Sequence, residues 1–337
     1  MQKYVFSAIR GVQANKEYYA VMVPLKVLNE LFIFNGNICK PEQRAQRKLN
    51  ENRILIIKNY IVNNRNAYVF SALAASIDGE FYFEELTSQN RNIGNLVIDK
   101  SATFLINDGQ HRLSAIVEAL KVDKTLGDET ITIVFFKDNG LIRSQQIFAD
   151  LNKHAIKTSK SIAELYDSTD NVAKLTREIM QRIPFLDKYT DKEKDNLSKY
   201  SAALFVFNTF YKANLRIIGK DRINIDFEFV VEYWKEVVNN MELWQMLENG
   251  DISKLKLRSE YLVCQAVVIE ALGILGNYFY NYRDNWKANL RGLKSINWRR
   301  DASVWQGKCL NEKGNMVKSE KSIVSTAEVI KISCNIK

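Results

Sequence analysis

Histidine is scarce in this 337-residue chain, which has only His111 and His154, and the four cysteines, Cys39, Cys264, Cys309 and Cys334, lie far apart. No two cysteines stand at CxxC spacing. Neither a zinc site nor a disulfide framework is expected, and the thiols read as buried or incidental. Long apolar runs are also missing. The best, Ala266 to Leu275, is interrupted by Glu270 and is shorter than the roughly 18 residues of a membrane span. The N-terminal Met1-Gln2-Lys3-Tyr4-Val5 lacks the apolar core of a signal peptide, so a cytoplasmic protein is expected. There is no Walker A string, no carboxylate cluster of the two-metal nuclease type, no repeat period and no low-complexity linker.

What is present is enough apolar side chain, 46%, for a full core, and a net charge of +9. The length suits one large or two ordinary domains. The charge permits a polyanionic partner such as nucleic acid but does not require one, because solvated lysines are common.

Residues 2–7 and 17–23 read as strands, and Pro24 opens a helix through Val27, Leu28 and Leu31. Pro41 opens another, with Arg44, Arg47 and Lys48 on one face and Arg53 following. Residues 68–73 read as a strand, Asp78-Gly79 as a turn, 86–95 as a polar loop and 130–136 as a strand. Alternating strands and helices to this point predict an α/β or α+β domain. From there the pattern is helical. Val172, Leu175, Ile179 and Ile183 form a stripe that ends at Pro184. Val230, Trp234, Val237, Met241 and Trp244 form a packed face, and residues 259–283 read as one long helix.

The stretch that organises the chain is Thr103 to Ile116. Thr103–Ile106 is a buried strand by composition, Asn107-Asp108-Gly109 a turn, and Leu113, Ile116, Val117 and Leu120 follow at helical spacing. A helix N-terminus suits an anion, Gly109 permits close approach, and Gln110, His111 and Arg112 sit in the first turn. The reading is a phosphate or nucleotide cradle. A plain strand-to-helix turn with a solvated Arg is the alternative, and for Asp108 helix capping is preferred to metal binding. A helix over 141–151 leads to Asn152, Lys153 and His154. These either meet the helix's last carbonyls or return to the cradle's rim. Near the C-terminus Lys287, Arg291 and Lys294 share a face, followed by Trp298, Arg299, Arg300 and Trp305. They form either a phosphate- and base-contacting surface or a solvated helix beside two core tryptophans.

From about residue 18 to 136 the order of elements resembles the ParB/sulfiredoxin-like fold: the Val23-Pro24-Leu25 lead-in, an Arg-bearing segment, a helix, a strand, the Asp108–Arg112 turn (DGQHR) and a closing strand. Over nearly the whole chain the sequence resembles the DndB family of DNA phosphorothioation systems. The stretches that carry this are Gly11-Val12-Gln13, Arg44-Ala45-Gln46-Arg47, Asp108–Arg112, Gln145 to Asn152 and Trp298 to Gly307. The resemblance implies a DNA-binding regulator of the genes whose enzymes place sulfur in the DNA backbone. It also implies a nucleotide site at the turn, where ParB proteins bind a nucleoside triphosphate. Sulfiredoxins carry a reactive cysteine just before His-Arg, and here that position is Gln110, so their chemistry is not expected.

The expected architecture is therefore α+β, with a ParB/sulfiredoxin-like domain over 1–158 and a mostly helical domain over 159–337. The expected partners are double-stranded DNA of its own gene cluster's promoter and other DNA sulfur modification proteins, with no membrane; homo-oligomerisation is left open. A nucleoid-associated regulator is preferred to an NTPase or NTP-dependent nickase and to a non-catalytic structural partner. No cofactor is firmly implied. An NTP with Mg²⁺ is the one the turn would hold, and if hydrolysis occurs Asp108, His111 and Arg112 would carry it.

Overall fold

The structure, a computed structural model, describes residues 2–32, 49–137, 141–153 and 158–336. The chain divides into two compact units, Met1–Ile156 and Lys157–Lys337. The first is a mixed α/β unit and the second is helical.

The first unit opens with a hairpin of β1 (Lys3–Gln13) and β2 (Lys16–Pro24). Its turn residues, Ala14 and Asn15, have φ of 49° and 60°, the two-residue geometry that follows strand twist. Pro24 closes β2 instead of starting a helix. A 3-10 turn over Leu25–Val27 intervenes before α1 (Leu28–Leu31). Then come α2 (Glu51–Asn63), β3 (Leu73–Asp78), β4 (Phe81–Glu85), β5 (Ile93–Asp99), β6 (Thr103–Asp108), α3 (Gln110–Val122), β7 (Thr130–Lys137) and α4 (Leu141–Lys153).

In the first unit the strands form a seven-stranded sheet in the order β4-β5-β1-β2-β7-β3-β6, in which only the β3–β7 pair is parallel; in the second unit Thr190–Asp191 and Phe205–Val206 form a short parallel pair. Two strand expectations need correction. The strand expected at 68–73 begins only at Leu73, because Tyr68 and Phe70 pack ring to ring at 5.6 Å and the Tyr68 hydroxyl bonds Glu129. The loop expected at 86–95 is shortened by β5, which pairs with both β4 and β1. Gly94 allows this, since a Cβ there would lie 2.0 Å from the Glu84 carbonyl oxygen.

Strand alternation assigns the two faces of the sheet. Ala75, Ile77, Ile106, Ile133 and Phe135 pack with Leu113, Ile116 and Ala119 of α3. Asn107, on the opposite pleat from Ile106, accepts from Ser76 Oγ at 2.9 Å and donates to the Ser144 carbonyl of α4 at 3.5 Å. The helix α4 therefore covers the other face.

The second unit comprises α5 (Lys160–Tyr166), α6 (Asn171–Arg182), α7 (Pro184–Tyr189), α8 (Phe207–Ile218), α9 (Phe227–Asn240), α10 (Glu242–Asn249), α11 (Lys254–Glu260), α12 (Ala266–Asn281), α13 (Trp286–Leu290) and α14 (Glu320–Ser333). Central α12 packs on α8 and α14. The apolar face from Val230 to Trp244 is buried as expected, but it is divided at Met241 between α9 and α10. The long helix expected over 259–283 breaks after Glu260, where Tyr261 makes a β-bridge to Arg299. Cys264, Cys309 and Cys334 are buried and unpaired, and Cys39 lies outside the described residues. No helix among the described residues is long and apolar enough to cross a membrane.

Gly273 sets the spacing of α8 and α12: an added Cβ would stand 2.5 Å from the Ala213 carbonyl oxygen and 2.9 Å from its Cα. Gly273→Ala is expected to destabilise the protein by about 1–3 kcal/mol through overpacking, read as a lower urea midpoint for loss of helical circular dichroism. An unchanged midpoint would mean that the two helices can separate without cost.

Candidate functional site

The central turn is built as strand, glycine, helix. Asp108 ends β6, Gly109 takes φ +96°, and α3 begins at Gln110. Gly109 is itself the N-cap and supplies no side-chain cap, which corrects the expectation that Asp108 caps α3. Asp108 is drawn instead to Arg112, whose Nη2 donates to its Oδ2 at 2.7 Å. Arg112 Nη1 donates to the Ser71 carbonyl at 2.6 Å, the Ala72 carbonyl at 3.0 Å and the Ser71 hydroxyl. The guanidinium is 18% exposed and ties α3 to the lead-in of β3. The fork geometry of Arg suits several oxygens at once.

The space beside Gly109 is also filled. A Cβ there would meet Leu73 Cδ2 at 2.4 Å and Arg112 Nη2 at 3.2 Å, so the glycine admits protein side chains. Gln110 is buried. His111 Nε2 accepts the backbone N–H of Asn50 at 3.0 Å, a role open to the neutral imidazole. Asn50 in turn caps α2 by accepting the N–H of Arg53 at 3.1 Å. The motif thus gathers Asp108, Gly109, Gln110, His111 and Arg112 and adds the start of α2, where Arg53 is exposed.

The other expected site residues divide into groups. Arg44, Arg47, Lys48 and His154 lie outside the described residues, as does the side chain of Asn152. Lys153 is exposed at the end of α4, the helix on the sheet face opposite α3. In the second unit Lys287 pairs with Glu232 at 2.6 Å and Glu236 at 3.6 Å. Arg299 pairs with Asp301 at 2.9 Å. Arg291 and Lys294 are exposed on the 3-10 turn after α13 and make no ion pair with a described residue. Arg300 is half-buried, and its Nε has no described partner. Trp298 and Trp305 are core residues, stacked at 5.3 Å with both indole N–H groups donating to carbonyls. Of the two readings of these rings, the core one holds, and neither offers a face to a base.

Two concave features were not legible in the sequence. In the second unit Lys160, Lys212, Arg258 and Lys318 line a groove of about 470 Å³ at the start of α12, whose N-cap Gln265 gives no side-chain cap. Burial, followed by the charges of Lys318 and Lys160, pushes the Lys212 ammonium below the usual lysine value against the opposite pull of Glu270 and Glu164. Asp195 in the same groove accepts the N–H groups of Lys160 and Ser161, each at 3.0 Å. These cations come from four separated segments, so no local spacing could reveal them. In the first unit a cleft of about 460 Å³ lies between the strands and α4.

A family model described as DndB, DNA-sulfur modification-associated, matches residues 6–337. No curated protein and no solved structure matches the chain.

Arg112→Ala would leave Asp108 and the Ser71 and Ala72 carbonyls without their donor. The expected cost is about 1–3 kcal/mol, read by thermal or urea denaturation without ligand, and Arg112→Lys should recover only part of it because an ammonium lacks the planar fork. A variant as stable as the parent would show that the guanidinium is not a structural tie.

Proposed function

The chain belongs to the DndB family of DNA-sulfur modification-associated proteins, and from that premise we propose that it is a DNA-binding transcriptional regulator of a phosphorothioation gene cluster. The observation that carries this reading is the groove where Lys160, Lys212, Arg258 and Lys318 meet the start of α12. Like charges held together in a partly dry groove repel one another, and an incoming phosphate relieves that repulsion. Counterion release from DNA adds to the gain. Arg291 and Lys294 offer a second exposed pair of cations, and Lys287 and Arg299 can exchange partners, since surface ion pairs are worth about 0–1 kcal/mol.

In the same reading the first unit is ParB-like. Its Asp108–Arg112 turn, together with Arg53, meets DNA phosphate or a nucleotide. Arg112 holds the turn's shape there, and the half-exposed Asp108 carboxylate is available to Mg²⁺. The partners are duplex DNA upstream of the protein's own gene cluster and other proteins of the modification system.

The test is binding to that duplex across a salt series, with and without each NTP. Lys212→Ala, Arg258→Ala and Lys318→Ala, singly and combined, are expected to weaken binding to all sequences. Each lost phosphate contact should reduce the slope of log affinity against log salt by about 0.9. Arg291→Ala with Lys294→Ala reports on the second surface in the same way. Unchanged affinity and slope in every variant would remove the groove from the binding surface, and no binding by the parent protein would overturn the reading.

A further inference from the structure

Two helices begin in the groove of the second unit. α8 starts after Val206 and α12 after Gln265, and neither N-cap supplies a side-chain cap. Val206, Asn208 and Thr209 line the groove from one start, and Gln265 and Ala266 from the other. The N–H groups of Ala266 and Val267 have no acceptor among the described residues, as expected of an open first turn. Thr209 is only 6% exposed, and its hydroxyl has no partner among the described residues. A hydroxyl so buried is costly to leave unpaired, and an acceptor entering the groove would satisfy it.

The cations around these donors are unevenly committed. Lys318 pairs with Glu270 at 3.4 Å, while Arg258 donates to the Lys199 carbonyl at 3.2 Å and keeps its charge. Lys160 and Lys212 have no ion pair with a described residue. The nearby acids are already engaged. Asp195 is held by the N–H groups of Lys160 and Ser161. Glu164 accepts Asn208, and burial pushes its carboxyl above the usual value. A surplus of positive charge therefore faces the two helix starts.

The phosphate of an unbroken backbone brings one negative charge and two free oxygens. A phosphate monoester brings about two charges and three strong acceptor oxygens. The donors assembled here, a hydroxyl, two N–H groups and the ammonium of Lys212 with Lys160 and Arg258 beside it, exceed what two oxygens accept. They suit the monoester, and the charge surplus suits a dianion.

We infer that the groove takes a phosphate monoester dianion, the chemistry of a DNA strand end or of a small phosphorylated metabolite, on Thr209, Lys212 and the start of α12. The inference rests on the proposed reading that this groove meets phosphate, and it names the kind of phosphate. Monoester and unbroken duplex then compete for one place.

The experiment is calorimetry and thermal shift on the full chain near neutral pH, with ionic strength held by chloride. The probes are sodium phosphate, glycerol 3-phosphate, dimethyl phosphate, and duplexes ending in 5′-phosphate or 5′-hydroxyl. Glycerol 3-phosphate is expected to raise the melting temperature by mass action, and dimethyl phosphate, a diester, is not. Thr209→Val and Lys212→Met should each weaken the monoester by about tenfold without lowering the melting temperature of the free protein. Lys160 is exposed, so Lys160→Ala with Lys212→Met is a second test that spares the buried threonine. Tighter binding of the 5′-phosphorylated duplex assigns the strand end, and equal binding of the two duplexes beside bound glycerol 3-phosphate assigns the small molecule. The inference falls if no monoester binds, if dimethyl phosphate binds as tightly, or if the variants bind like the parent. Duplex binding without any monoester effect sinks this inference alone, and monoester binding without duplex binding sinks the regulator reading alone.

Discussion

The guanidinium of Arg112 is the tie on which the first unit's centre depends. It reaches back across the turn to Asp108 and outward to the two carbonyls that precede β3. A strand end, a helix start and the lead-in of a neighbouring strand are thereby held at one point. His111 extends the tie to the cap of α2. The Arg112–Asp108 bond is part-buried, whereas Ser71, Ala72 and Asn50 are exposed, so at those groups the bonds fix geometry in competition with water. The polar motif is thus first a joint, and any ligand at its rim meets an arrangement already rigid.

Similar joints recur deeper in the fold. Ser76, Asn107 and the Ser144 carbonyl link β3, β6 and α4 through the buried second face of the sheet. In the helical unit Trp234 donates to Asn214 at 2.8 Å, and Asn214 donates to Thr176 at 2.9 Å. That chain joins α9, α8 and α6 inside an apolar core. Satisfied networks of this kind select one packing among many that hydrophobic burial alone would allow.

The net charge of +9 matters less than which cations remain uncommitted. Arg10, Arg112, Arg216 and Lys287 are engaged by carboxylates or carbonyls. Lys16, Lys137 and Arg143 in one concave feature have no ion pair with a described residue, and neither does Lys212 in the other, where Lys318 pairs with Glu270 at 3.4 Å and Arg258 donates to the Lys199 carbonyl at 3.2 Å. The same sum of charges spread over a convex surface would be solvated and of little consequence.

The sequence alone determined the elements whose causes are local. The run Thr103–Ile106 with Asn107–Gly109 and the spacing of Leu113 and Ile116 specified a strand, a turn and a helix. The stripe Val172, Leu175 and Ile179 specified the buried face of α6, and the order of motifs along the chain indicated the DndB family. Tertiary structure decided what depended on partners far away in the chain. Asp108 turned from capping to an ion pair because Arg112 was positioned to claim it. The stretch after Leu86 became a strand because β1 and β4 flank it and Gly94 lets them close in. Trp298 and Trp305 went inside because they could stack on each other with both N–H groups satisfied, and the helix expected over 259–283 broke where Tyr261 found Arg299. The groove assembled cations from residues 160, 212, 258 and 318. Periodicity records which face of an element is apolar, a property of neighbours one turn apart, whereas the partner of a polar group is set by packing between segments that no local pattern connects.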